Sequence, residues 1–352
     1  MKTRSGVCLS AAAALVLAAS GVAFAGPGGD FQRETTFRDA MIKSQAAPLA
    51  KQAPSTGDGG AGVTFSIIPE WDYVHHDDVT GTIAGTDLKL SGGTSKSYAL
   101  IFIAGKQFTD WLKVSFLYKY AYTTYKAGML VPNNPDMAGR SDVNLASHLA
   151  GFIGNFTHKT AGNFEVSIME AWDTYSGNET QFFQGTPTTR SVSAFDDRVF
   201  SFIAWWDKDF QLSENWKIDP YVGWRTVHVQ LNDMNEWDPT TPQEFTNDSS
   251  VTNLVSYGLK FKYDKGLLGL SFRLGMNHRL SKDPIPGFAS RAMAPNATNL
   301  GFMSCWDKSV ATWGLGFSYV VPETMVIAVN YDGAAGSNTV MHTATAAFVF
   351  MF

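Results

Sequence analysis

The sequence predicts an all-β protein: a closed antiparallel transmembrane β-barrel of about twelve strands, with short turns at one end and long loops at the other. Three observations lead there. Large apolar residues alternate with small or charged ones over ten or more positions at a time, the two-residue period of a strand whose faces meet unlike surroundings. Connections between these segments alternate between short and long, which a soluble sandwich has no reason to do. After Gly26 no stretch reaches about 18 uninterrupted apolar residues, so a chain bound for a membrane would have to cross it as strands.

Bulk composition fits this and excludes other classes. Of 352 residues, 45% are hydrophobic, 13% aromatic and 17% charged, with a formal net charge of -5. That is too apolar for a disordered chain and too weakly charged for a nucleic-acid partner. Lys2 and Arg4 precede an apolar run from Val7 to Val22, and Ala23-Phe24-Ala25 follows. This is the layout of a secretory signal peptide, residues 1–25, cleaved after Ala25. Cleavage removes both cations and takes the charge from -5 to -7, further from any polyanion binder. Cys8 leaves with the signal, so Cys305 stands alone and no internal disulfide is expected.

Residues 26–62 are rich in Gly, Ala, Pro, Gln and charge, with too few large apolar residues for a core. They are expected to be a periplasmic or lumen-threading extension ahead of the barrel, residues 63–352. Strands are expected near Val63 to His75, Ser97 to Gln107, Leu112 to Tyr125, Leu145 to Thr157, Asn163 to Tyr175 and Asp197 to Asp207. The second half continues near Lys217 to Leu231, Asn253 to Tyr263, Gly266 to Leu280, Lys308 to Val320, Thr324 to Tyr331 and Thr339 to Phe352. In the third, Leu112, Val114, Phe116, Tyr118, Tyr120 and Tyr122 alternate with Lys113, Ser115, Lys119 and Thr123. The long connections include Lys126 to Asn144, Ser176 to Asp196 and Ser281 to Asp307. If Asp264-Lys265 is a two-residue turn, Phe261 pairs with Leu268, Leu259 with Leu270 and Tyr257 with Phe272. Aromatics near strand ends, among them Trp71, Trp111, Trp172, Trp205, Trp206, Trp216 and Trp313, suit girdles at the two membrane interfaces.

These features together resemble a Gram-negative outer-membrane β-barrel. The final Phe348, Phe350 and Phe352 carry the resemblance furthest, because in that class a terminal aromatic strand serves as the membrane-assembly signal. The resemblance implies the cell outer membrane as location. It implies outer-membrane lipid, lipopolysaccharide and the barrel-assembly machinery as partners. By strand number the chain is similar to the twelve-stranded group, which includes autotransporter translocators, selective channels and a phospholipase.

Strand parity puts Glu70, Asp72, Lys113, Lys119, Glu165, Arg225, Lys260, Lys262, Arg273 and Arg279 on the lumen face. As pore-lining residues they would orient small polar solutes, with a lean toward anions from the basic group on the eighth and ninth strands. Internal pairing that holds a filled barrel together is the equal alternative. A passive channel or porin is therefore the expected function, with an autotransporter-like translocator or surface-interaction barrel as one alternative and a hydrolase with a rim site as another. Against the translocator, only about 37 residues precede the first strand, and the last strand lacks a polar, glycine-containing run.

No cofactor is expected. His75, His76, Asp77, Asp78 and His342 are of metal-ligand type and would converge if the first and last strands pair, but solvated loop ends explain them better. His228 and Asp233, with Asp77 and Asp78, resemble outer-membrane aspartyl proteases in residue type alone. Ser147 and His148 are adjacent in a strand and point to opposite faces, so they cannot form the pair a lipase needs.

Overall fold

A computed structural model describes residues 63–76, 79–83, 86–90, 94–130, 138–183, 186–231, 234–236, 243–245, 249–280, 309–321, 325–337 and 339–351. Twelve strands close the wall: β1 (Val63–His76), β2 (Thr94–Thr109), β3 (Leu112–Leu130), β4 (Ala138–His158), β5 (Gly162–Phe183) and β6 (Thr186–Asp207) lead. They are followed by β7 (Trp216–Leu231), β8 (Ser249–Lys265), β9 (Leu268–Arg279), β10 (Ser309–Val321), β11 (Met325–Ala335) and β12 (Thr339–Met351). Each pairs antiparallel with the next, and β12 returns to β1, with Phe65 opposite Phe350 and Asp72 opposite Thr343. Closure matters because an unpaired edge in hydrocarbon would leave a row of backbone groups without partners.

The registers fix the size of the barrel. Followed one way from Glu70 through β12 to β8, the paired row reaches β7 at Lys217. Followed the other way through β2 to β6, it reaches β7 at Leu231, fourteen residues along. With ordinary strand spacing, twelve strands and that stagger give a tilt of about 40° and a backbone radius of about 12 Å.

Two expectations are corrected. The β8–β9 turn is Gly266-Leu267, so Leu259 faces Leu274, Phe261 faces Phe272 and Lys260 faces Arg273. Gly266, at φ 61, takes the left-handed position that opens a two-residue hairpin, where Asp264-Lys265 offers no such residue. Because the shift is even, every side chain keeps its face. The connections expected at Lys126 to Asn144 and Ser176 to Asp196 are largely strand, since β3–β6 run for 19, 21, 22 and 22 residues. Above a membrane both faces of a strand meet water, so the alternation that marks it disappears while its pairing continues. The β1–β2 connection contains a small hairpin, Val79–Ile83 with Thr86–Leu90, whose end pairs onto β3 at Leu130. The expected loop Ser281 to Asp307 lies outside the described residues, as do both cysteines.

Candidate functional site: the lumen wall

All ten charged residues expected inside lie on the inward face of their strands. Glu70, Asp72, Lys119, Glu165, Arg225, Lys260 and Arg279 are buried, and Lys113, Lys262 and Arg273 are half-buried. Charges this sheltered are stable only when paired, and the pairs are local. Lys119 Nζ lies 2.7 Å from Glu70 Oε1, with the side chains 5% and 0% exposed. Arg273 reaches Asp332 at 2.6 Å across Gly314, which has no side chain to obstruct it. Lys262 bridges Asp219 at 2.8 Å and Asp209 at 2.6 Å, while Lys260 approaches Asp219 at 3.7 Å. At the closing seam Thr343 Oγ1 donates to Asp72 Oδ1, which ties the last strand to the first.

Several of these pairs share one interstrand row. Asp219, Lys260, Arg273, Gly314, Asp332, Thr343, Asp72, Ser97 and Thr123 are successive register partners from β7 through β12 and β1 to β3. Thr123 donates to Ser97 at 3.0 Å to finish the row. Apart from Gly314 the row is polar throughout.

Beside it stands an aromatic brace that strand reading assigned wrongly. Trp205 does not join the girdle; it faces the lumen and stacks on Tyr221 with ring centroids 4.8 Å apart. Adjacent residues point to opposite faces, so of Trp205 and Trp206 only one can face lipid. The Lys260 ammonium sits over both rings, at 5.8 and 5.5 Å. Tyr221 lies flat across Gly258 and Gly275, where an added Cβ would collide with its hydroxyl. Asp219, Tyr221 and Asp332 were missed as site residues, although Lys217, Asp219 and Tyr221 form a period-two polar face that parity reading could have found.

On the opposite wall bulky aliphatic groups alternate with buried polar ones such as Ser147, Asn155, Glu165 and Ser167. Ile101, Leu117, Ile153 and Met169 are inward-facing and only 1–2% exposed, with Leu149 and Val199 alongside. Outward positions carry the lipid-facing set: Phe116, Phe152, Ile168, Leu270, Phe272 and Phe348 are exposed, and Thr343 and Thr345 on the last strand point inward.

Among the described residues the rim candidates stay apart. Among the described residues no group of three or more His, Cys, Asp or Glu stands close enough to hold a metal. His342 faces outward, stacked on Tyr73 and hydrogen-bonded to Tyr331 at 2.7 Å, while His75 is in register with Val340. Asp77, Asp78, Asp233 and Phe352 lie outside the described residues, as does the side chain of His76. His228 sits on the outward face, in register with Phe200 and Val251. Ser147 is buried inside, and His148 faces out to bond Tyr118 at 2.8 Å.

A family model described as the autotransporter beta-domain matches residues 73–332. Among solved structures, the chain is similar to the translocator domain of autotransporter NalP from Neisseria meningitidis. That match has 11% identity, covers 90% of this chain and 98% of that one, and has a TM-score of 0.60. The beta domain of the Bordetella autotransporter BrkA matches at 13% identity over 83% and 100%, with a TM-score of 0.53. The transport unit of AIDA-I from Escherichia coli matches at 10% over 86% and 94%, with a TM-score of 0.52. At these identities the likeness concerns the fold. A search of curated sequences finds no match.

Proposed function

The chain belongs to the autotransporter beta-domain family, and on that premise we propose that its outer-membrane barrel is a translocator whose lumen holds the segment N-terminal to Val63. The observation that carries this reading is the near-complete burial of the inward side chains, aliphatic and polar alike. Wall side chains about 5–6 Å long leave a bore of about 12 Å inside a radius of about 12 Å, wide enough for one α-helix. Residues such as Ile101 and Ile153 are nonetheless almost fully buried, which suits a lumen with an occupant better than one filled with water. Val63 begins at the short-turn rim, opposite Lys106, so the preceding segment meets the lumen at its periplasmic mouth.

The passive-pore expectation fits less well. A solute pathway needs charges free to meet an ion, whereas Lys119, Lys260, Lys262 and Arg273 are held by carboxylates of the wall. Planar-bilayer conductance separates the two readings. The mature chain should pass little steady current, and deletion of residues 26–62 should produce stepwise openings. Equal, steady openings in both forms would establish a passive channel instead.

A further inference from the structure

The membrane-facing wall carries a polar cluster that translocation does not use. On the outward face of β2, Lys106 and Lys96 flank an apolar stretch of Ala104, Phe102, Leu100 and Tyr98. Ten residues tilted by about 40° span about 26 Å, close to the ~25 Å apolar band of an outer-membrane barrel. Lys96 therefore stands at the headgroup level of the leaflet away from the tight turns.

Its neighbours come from both sides of the closing seam. Tyr73 is in register with Lys96 on β2 and with His342 on β12. The His342 ring stacks on Tyr73 at 6.4 Å and on Tyr331 at 6.0 Å, and the Tyr331 hydroxyl lies 2.7 Å from its Nδ1. That bond fixes the imidazole and leaves Nε2 for a ligand. His75 occupies the next outward position on β1. The outward neighbours of Lys96 are Thr94, Tyr98, Tyr73 and Thr124, without a carboxylate, and Lys96 is exposed and forms no ion pair among the described residues.

We propose that this face binds the phosphate of a phosphorylated glycolipid headgroup in the outer leaflet. The ammonium supplies positive charge, and it, the oriented imidazole and the phenolic hydroxyls supply donors, with no carboxylate in register with Lys96 among the described residues. The apolar ladder of Tyr98, Leu100 and Phe102 lies below them to receive an acyl chain. Across the barrel a second row has similar residue types, with Arg198, Trp172, His148 and Tyr120 in successive register. There Glu170 holds the next outward position on β5 and puts a carboxylate in the same wall. That row is the built-in control.

The test is native mass spectrometry of the refolded full barrel titrated with diphosphoryl lipid A. Lys96→Gln with His342→Gln should weaken binding by about tenfold, the scale of one lost interfacial cationic contact and one lost hydrogen bond. Lys96→Gln alone alters an exposed side chain with no ion partner, and should weaken binding by about fivefold without touching the fold. Arg198→Gln should leave affinity unchanged, and dephosphorylated lipid A should bind the wild type no better than it binds the double variant. Equal lipid A affinity in wild type and Lys96→Gln would overturn the site. Phosphatidylglycerol binding as tightly as lipid A would reduce it to a generic anionic contact and overturn the glycolipid assignment.

Discussion

Strands β3–β6 and β9–β12 build opposite sides of one barrel and differ in two respects at once. The first group runs 19–22 residues and sets bulky Leu117, Leu149, Ile153 and Met169 among buried Lys119, Asn155, Glu165 and Ser167 on its inward face; the second runs 11–13 residues and lines the lumen largely with smaller groups, Gly, Ser, Thr, Ala and Val, around the Arg273–Asp332 pair. At a tilt of about 40° the longest strands rise about 55 Å and the short ones about 30 Å. One side is thus both taller and bulkier inside, and the other is low and leaves room. The lesson is that strand number alone does not define a lumen: the same twelve-strand wall encloses a tall side with bulky inward groups and a low side with small ones.

The sharpest break in this contrast is Glu70→Ala. It strands Lys119 between Ile101 and Leu149 and should destabilise the barrel by about 3–5 kcal/mol, as read by urea unfolding in lipid vesicles. Replacing Glu70 and Lys119 together by leucine should recover most of that loss. A single-site loss below about 1 kcal/mol would mean that water reaches the pair. Next in size is Ile153→Ala on the bulky side, expected to lose about 2–5 kcal/mol, against about 1 kcal/mol for Thr345→Ala on the side of small groups. Equal losses from the two would erase the distinction between the walls. Smallest is Lys217→Ala at the turn end, whose pair with Asp264 at 3.1 Å is about one-third exposed. It should shift stability by less than about 1 kcal/mol in the same assay.

What sequence alone could reach follows from the same physics. Parity survives any error of two residues, so the faces of Lys260 and Arg273 were readable although their turn was misplaced. Partnership was not readable, because which carboxylate meets Lys262 depends on the neighbouring strand and on Asp209 in a turn. Trp205 was assigned to a girdle because an aromatic near a strand end suits either face, and only the count along β6 separates it from Trp206. The upper halves of β5 and β6 escaped notice because polar surroundings on both faces erase the pattern that marks a strand.

The fourteen-residue stagger has a mechanical consequence. Each step between strands climbs about 3 Å, so the polar row from Asp219 to Thr123 rises about 25 Å while turning through two-thirds of the circumference. The lumen is rifled: its hydrophilic groove is a screw thread. A segment that keeps its polar face on that groove cannot slide straight through, and must rotate as it advances.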